Sequence, residues 1–215
     1  MRIAVFGATG RTGRLVVQDA LAQGHEVVAF VRSEDKLWQQ HPPGTPGLTA
    51  VQGDVRDAEA VARAVEGADV VVSALAPVRG APGVQTDGTA AILRAMEAHG
   101  VDRIVSLTGA GVDAPGDPPR PFGGRLVKAV MGLVAGWVLR DGQGHADALY
   151  ASDRDWVVVR PPRLTDGPAT GAARHGILPL GAGDQVSRAD VADFLLTEAV
   201  EPRYHRAAPN VTGPA

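Results

Sequence analysis

The sequence predicts an α/β fold built on a doubly wound parallel sheet of about seven strands, and three observations carry that prediction. Short runs rich in apolar and β-branched residues recur along the 215 residues, at Ile3–Phe6, Val27–Val31, Leu48–Gln52, Ala68–Leu75, Val101–Leu107 and Asp155–Val159, as strands covered on both faces require. Helical patterns fall between them, which is the alternation of a parallel sheet with crossover helices. The first run leads straight into Gly7-Ala8-Thr9-Gly10-Arg11-Thr12-Gly13, a turn with glycines three apart that opens a helix. Strand, glycine turn and helix in that order are the start of a dinucleotide-binding Rossmann unit.

Each part of this opening has a physical task. Gly7 permits the tight turn, Gly10 lets main chain approach a pyrophosphate, and Gly13 allows close helix packing. The free N–H groups and positive dipole end of the helix suit phosphate. Val16, Val17, Ala20 and Leu21 form the helix's apolar stripe, and Gly24 stands at its C-terminal cap. The second strand runs into Arg32-Ser33, where an NAD site usually carries an acidic residue for the ribose 2′-hydroxyl. A guanidinium there can bind a 2′-phosphate and stack on adenine, so the expected cofactor is NADP(H), with Ser33 adding a hydroxyl and Arg11 and Lys36 adding charge. The competing reading has Arg32 in solvent and Glu34 or Asp35 on a ribose hydroxyl.

The later elements follow in order. Leu37–Gly47 is a turn-rich surface loop. Gly53-Asp54-Val55 closes the third strand, either to hold adenine through the carboxylate and the next N–H or as a helix N-terminal turn; both can hold together. Asp57 caps a helix bearing Val61, Ala62 and Val65 and ended by Gly67. The fourth strand ends Ser73-Ala74-Leu75-Ala76-Pro77, small residues suited to passing under a ribose. After a Gly/Pro loop at Arg79–Gly83, a helix carries Ile92, Leu93 and Met96, with His99 as a dipole-compatible residue before Gly100. The fifth strand ends Ser106-Leu107-Thr108-Gly109-Ala110-Gly111, and strand ends of this kind form the ligand crevice. Thr108 is the candidate catalytic hydroxyl, its alternative being a cap for local backbone.

Pro115–Gly124 reads as a long loop over the crevice. The strongly apolar stretch Leu126–Leu139 is shorter than the roughly 20 residues a membrane span needs; a buried helix, a lid and a subunit contact are the open readings. The lid or substrate-side segment is placed around 111–150. Asp141–Ser152 is a more polar helical stretch containing His145 and Tyr150. Arg160-Pro161-Pro162-Arg163-Leu164 stiffens the chain where it crosses the nicotinamide end. Ser187–Asp190 is a capping box before a helix with Val191, Phe194 and Leu195, and a short strand follows at Asn210–Thr212.

Composition bounds the function. The chain is 45% hydrophobic and 21% charged, enough for a substantial core, and it is read as one domain over 1–215. A net charge of −3 supplies no broad basic field for nucleic acid. The absence of cysteine excludes disulfides and thiolate metal sites. The N-terminus already reads as a strand with no signal segment. The expectation is a cytoplasmic protein, without membrane or nucleic-acid partner, as a monomer or weak homodimer.

The motifs GATGRTG, FVRS, GDV, AMEAHGVDRIV, SLTGAG, VVVRPPRLTDGPATG and SRADVADFLL together resemble the atypical branch of the short-chain dehydrogenase/reductase superfamily. Within it the chain is most similar to the NAD(P)H-binding group of biliverdin-IX-beta reductase, also called flavin reductase. The resemblance implies a seven-stranded Rossmann fold and a preference for NADPH. It implies that Gly7, Thr9, Gly10, Arg11, Thr12 and Gly13 hold the phosphates, and that Arg32 and Ser33 take the 2′-phosphate. It assigns Asp54 and Val55 to adenine, Ser73, Ala74 and Leu75 to the ribose path, and Pro162, Arg163 and Leu164 to the nicotinamide.

The chain departs from the wider superfamily in one respect that decides chemistry. Many members reduce carbonyls with a tyrosine whose pKa is lowered by a lysine four residues on. The comparable spacing here is Tyr150 with Arg154, and arginine is not a simple replacement. Gly109 also stands where the flavin reductase group often has serine. Hydride transfer to a ring stacked on the nicotinamide needs mainly positioning, so the expected activity is NADPH-dependent reduction of a planar acceptor, flavin, quinone-like or tetrapyrrole-like. The alternative is a catalytically silent NADP(H)-binding redox sensor that works through a protein partner; an isomerase or epimerase ranks third.

Overall fold

The computed structural model describes residues 1–118, 122–181 and 183–214, of which 122–131 are described as helix backbone alone. The elements in order are β1 (Arg2–Phe6), α1 (Gly13–Ala22), β2 (Glu26–Val31), α2 (Glu34–Trp38), β3 (Leu48–Gln52), α3 (Ala58–Val65), β4 (Val70–Ser73) and α4 (Val84–His99). They continue with β5 (Arg103–Leu107), α5 (Phe122–Ala151), β6 (Asp155–Val159), β7 (Arg163–Thr165), β8 (Arg174–Gly176), β9 (Gln185–Ser187), α6 (Arg188–Val200) and β10 (Asn210–Thr212).

The main sheet is six-stranded and parallel, in the order β3-β2-β1-β4-β5-β6. The chain order reverses between β1 and β4, which opens a crevice at their carboxyl ends. Successive strand residues face opposite layers. Ile3, Val5, Val27, Ala29, Val70, Val72, Val105 and Val157 pack against α1 and α6. Ala4, Phe6, Val28, Phe30, Val71, Ile104 and Val158 pack against α3, α4 and α5. Burial on both faces explains why these strands read as continuous apolar runs.

Local signals set the helix ends. The Asp57 side chain accepts from the N–H groups of Glu59 (3.0 Å) and Ala60 (3.3 Å) at the start of α3. Ser187 Oγ accepts from Asp190 N–H at 2.9 Å and donates to the Asp190 carboxylate at 2.8 Å, as the capping pattern requires. Gly100, with φ +68°, ends α4 while Val101 N–H bonds back to Met96 O at 2.9 Å.

The structure corrects the expectation of about seven strands in the sheet. β10 pairs antiparallel with β8, and β7 forms a separate parallel pair with β9. Among the described residues two bridges, Val157 with Ala207 and Arg160 with Asn210, join the C-terminal segment to β6. Pro209 sits within that segment and has no N–H to extend a ladder. A second correction concerns the loop at Leu37–Gly47: the helix α2 reaches Trp38, its indole N–H donating to Glu34 at 3.1 Å. The loop expected over Pro115–Gly124 gives way to helix from Phe122, and residues 119–121 lie outside the described residues. Two helical segments of α5 meet at a kink at Ala135 (φ −139°, ψ 34°). Leu133 and Val134 are exposed beside that kink, so the apolar stretch is not a buried helix there; its side chains at 126–131 lie outside the described residues.

Candidate functional site

The glycine turn after β1 is built from close main-chain contacts. Gly7 has φ +75°, and a Cβ on it would lie 2.6 Å from Ala74 O at the end of β4. A Cβ on Gly13 would lie 2.2 Å from Gly7 O, so α1 rests directly on the turn. Gly10 N–H closes the turn on Gly7 O at 2.9 Å. The N–H groups of Arg11, Thr12 and Gly13 have no hydrogen-bond acceptor among the described residues. These bare donors at the start of α1, free of any intruding Cβ, fit an anionic phosphate group.

Arg32, at the end of β2, is exposed and has no ion-pair or hydrogen-bond partner among the described residues. Ser33 begins α2 and its hydroxyl donates to Asp35 at 3.3 Å. Glu34 is engaged by Trp38, whereas Arg32 makes no such contact among the described residues. At the neighbouring end of β3, Asp54 Oδ1 accepts from Arg56 N–H at 2.9 Å, and its carbonyl accepts from Asp57 N–H at 2.9 Å. The turn reading of Asp54 is therefore present in the geometry. Val55 is buried against α4, where a Cβ on Gly88 would lie 2.7 Å from Val55 Cγ2.

A cavity of about 280 Å³ lies at the carboxyl ends of β1, β4 and β5. Its lining joins Gly10, Arg11 and Thr12 to Ala74–Pro77 after β4, and to Thr108, Gly109 and Gly111 after β5. Gln85, Leu107, Val112, Val138, Leu139, Gly142, Leu164 and Arg188 complete it. Thr108 N–H is held by Val159 O at 2.9 Å, while its hydroxyl has no partner among the described residues. Of the residues singled out in the sequence, Gly10, Arg11, Thr12, Ala74, Leu75, Thr108 and Leu164 thus meet at one cavity. Thr9, Pro162 and Arg163 stand outside its lining. Ser73 does too, buried at the strand end.

Under the cavity lies a polar layer that the sequence reading did not assign. The Gln85 amide nitrogen donates to Leu75 O and Leu107 O, both at 3.0 Å, tying the ends of β4 and β5 together. Asp141 of α5 accepts from Gln85 N–H (3.2 Å), Thr86 N–H (2.9 Å) and Thr86 Oγ1 (2.8 Å). His145 is fully buried, with Nδ1 2.6 Å from Thr89 Oγ1 and Nε2 3.1 Å from Ser106 Oγ. Burial drops its pKa to about 4, partly opposed by Asp141, so the imidazole is neutral at pH 7. The signal was available: Gln85, Thr89, Ile92 and Met96 are spaced i, i+4, i+7 and i+11, which puts the two polar residues on the buried stripe of α4.

Two arginines fix the rim. Arg160 is buried and makes a paired contact with Asp117 (2.5 and 2.7 Å) while also donating to Val112 O and Ala208 O. Arg188 at the start of α6 donates to Asp166 at 2.5 Å, and the same carboxylate stands 3.9 Å from Arg11. Tyr150, by contrast, packs on Trp156 with ring centroids 5.0 Å apart and does not line the cavity. Burial, then nearby Asp117, Asp147 and Asp113 against the opposing pull of Arg160, push its pKa up to about 12. That is the reverse of an activated phenol.

Comparisons with known proteins agree with this geometry. A family model described as NAD(P)H-binding matches residues 7–202. An uncharacterized protein of Mycobacterium tuberculosis is 45% identical over 106 residues, 49% of this chain but 12% of that protein; the chain thus spans about an eighth of that relative. A 3-diazoavenalumate denitrifying reductase from a Streptomyces species is 35% identical over 82% of this chain and 60% of its own length. Among solved structures, the anaerobillin reductase ChuY from Escherichia coli O157:H7 superposes with a TM-score of 0.78 at 25% identity, covering 100% of both chains.

Proposed function

The chain belongs to the NAD(P)H-binding family, and on that premise we propose that it is an NADPH-dependent reductase that passes hydride to a planar acceptor of flavin, quinone-like or tetrapyrrole-like chemistry. One observation carries the reading: the cavity beside the bare N–H groups of Arg11 and Thr12 is walled mainly by glycine and aliphatic side chains, and its described lining holds neither tyrosine nor lysine. Such walls suit a flat ring laid face to face with another. The names of the Streptomyces and E. coli proteins support the reductase reading, and the latter supports the tetrapyrrole end of the range.

The chain's own residues do the following. The N–H groups of Arg11, Thr12 and Gly13 bind the diphosphate, with Gly7, Thr9 and Gly10 shaping the turn. Arg32, with Ser33, takes the 2′-phosphate and selects NADPH over NADH. Asp54 and Val55 border the adenine, and Ala74 and Leu75 lie along the ribose path beside Ser73. Pro162, Arg163 and Leu164 flank the nicotinamide, which when bound supplies the hydride. Thr108 offers its hydroxyl to the acceptor, and the segment around 111–150 covers the acceptor side of one domain spanning 1–215. Anaerobic incubation of the purified chain with NADPH and riboflavin, menadione or biliverdin tests this. Oxidation of NADPH by at least one acceptor is expected; none by any of the three refutes it.

The sensor reading is favoured by one observation: the described cavity lining holds no carboxyl, imidazole, phenol or amine that could move a proton. It is distinguished by tight NADP⁺ binding with no turnover of any acceptor and by a protein that co-purifies.

A further inference from the structure

We infer that the cavity floor is a fixed hydrogen-bond acceptor, Gln85 Oε1 with the Thr108 hydroxyl beside it, that selects planar acceptors carrying a ring N–H of imide, lactam or pyrrole type. The inference rests on the planar-acceptor reading and narrows it, because a simple quinone has no such donor. Gln85 is 1% exposed. Its amide orientation is set by chemistry: the group facing Leu75 O and Leu107 O, each at 3.0 Å, must be the NH₂, since two carbonyls cannot donate. The oxygen is thereby turned the other way, and it has no hydrogen-bond partner in the structure. A buried carbonyl without a donor carries a desolvation penalty that a ligand N–H would remove.

That oxygen is buried, and the residue of α5 beside it, Gly142, carries no side chain. A Cβ on Gly142 of α5 would stand 3.8 Å from Gln85 Oε1 and 3.1 Å from Thr108 Oγ1. Both oxygens therefore lie beside this one glycine, and Gln85, Thr108 and Gly142 all line the cavity. The acceptor is also rigid. The Gln85 side chain is tied to two strand ends and its main-chain N–H is tied to Asp141 at 3.2 Å. Preorganisation of this kind gives selectivity, because a ligand that presents its own carbonyl to Oε1 meets an oxygen that cannot move away.

The test measures binding to the NADP⁺-saturated protein by flavin fluorescence, with riboflavin, whose imide N–H is free, and 3-methylriboflavin, in which it is replaced. Riboflavin is expected to bind at least tenfold more tightly. Gln85→Leu is expected to bring the ratio close to one. Gly142→Ser, which leaves the Gln85 anchor intact and offers Oε1 an internal hydroxyl, is expected to do the same, so the test survives a folding defect in the first variant. Equal affinities in the unaltered chain, no riboflavin binding, or variants that change NADP⁺ affinity and leave the ratio intact would overturn the inference. Discrimination without NADPH oxidation would sink the reductase reading alone. Oxidation at equal rates by both flavins would sink this one alone.

Discussion

Asp141 caps α4 from another helix: its carboxylate accepts from Gln85 and Thr86 N–H groups 56 and 55 positions away in sequence. Gly83, the residue in the cap position, has no side chain to do so. Asp141→Ala is therefore expected to lower stability by about 2 kcal/mol, read as a shift in urea midpoint. Because Asp141 also holds Gln85 in place, the substitution should weaken acceptor binding while Arg32-dependent cofactor selection persists.

His145 makes stability depend on pH in a definite direction. Its pKa is about 4 when folded and 6.5 in the unfolded chain, so between these values the unfolded state holds the extra proton. Stability is full above about pH 6.5 and falls as pH drops toward 4, by on the order of 3 kcal/mol for this group. Chemical denaturation at a series of pH values should show that slope, and His145→Gln should flatten it.

Arg32 has no competing partner among the described residues at its strand end, so its charge is available for a 2′-phosphate. Arg32→Ala is expected to weaken NADPH about tenfold, as loss of an exposed charge-assisted hydrogen bond would, with NADH nearly unchanged. Paired titrations of the two cofactors decide it; equal losses reject the role.

Gly13→Ala would place a methyl group 2.2 Å from Gly7 O, a clash with main chain that no rotamer relieves. The helix propensity gained is smaller than the overpacking, which costs about 1–3 kcal/mol. Thermal melting should show the loss, and NADPH binding should fall more than tenfold because the turn itself must shift.

What the sequence revealed was local, and what it concealed was paired across distance. β1, β2, β5 and β6 were legible because strands buried on both faces leave unbroken apolar runs, and the glycine turn because three glycines have separate geometric tasks. Ser187 and Asp57 declared their helices in the same way. The three-residue strands β7, β8 and β9 are too short to carry a period. The contacts of Arg160 with Asp117 and of Asp141 with Gln85 join residues more than 40 positions apart, which no periodicity records. Gln85 lay between these cases: its spacing put it on the buried stripe, but only the orientation of its amide gives it a task.

The segment from Ala207 to Asn210 shields the outer margin of β6. Val158 and Arg160 give their N–H groups to Ala207 O and Pro209 O, and Trp156 O takes one from Ala207. A sheet margin left bare is a template on which other chains zip together. Here the proline-bearing strap caps that template and cannot itself propagate it, leaving β3, with Thr49 and Gln52 exposed, as the sheet's other margin. Cutting the chain back before Ala207 should therefore make the protein more prone to aggregate, even with the crevice untouched.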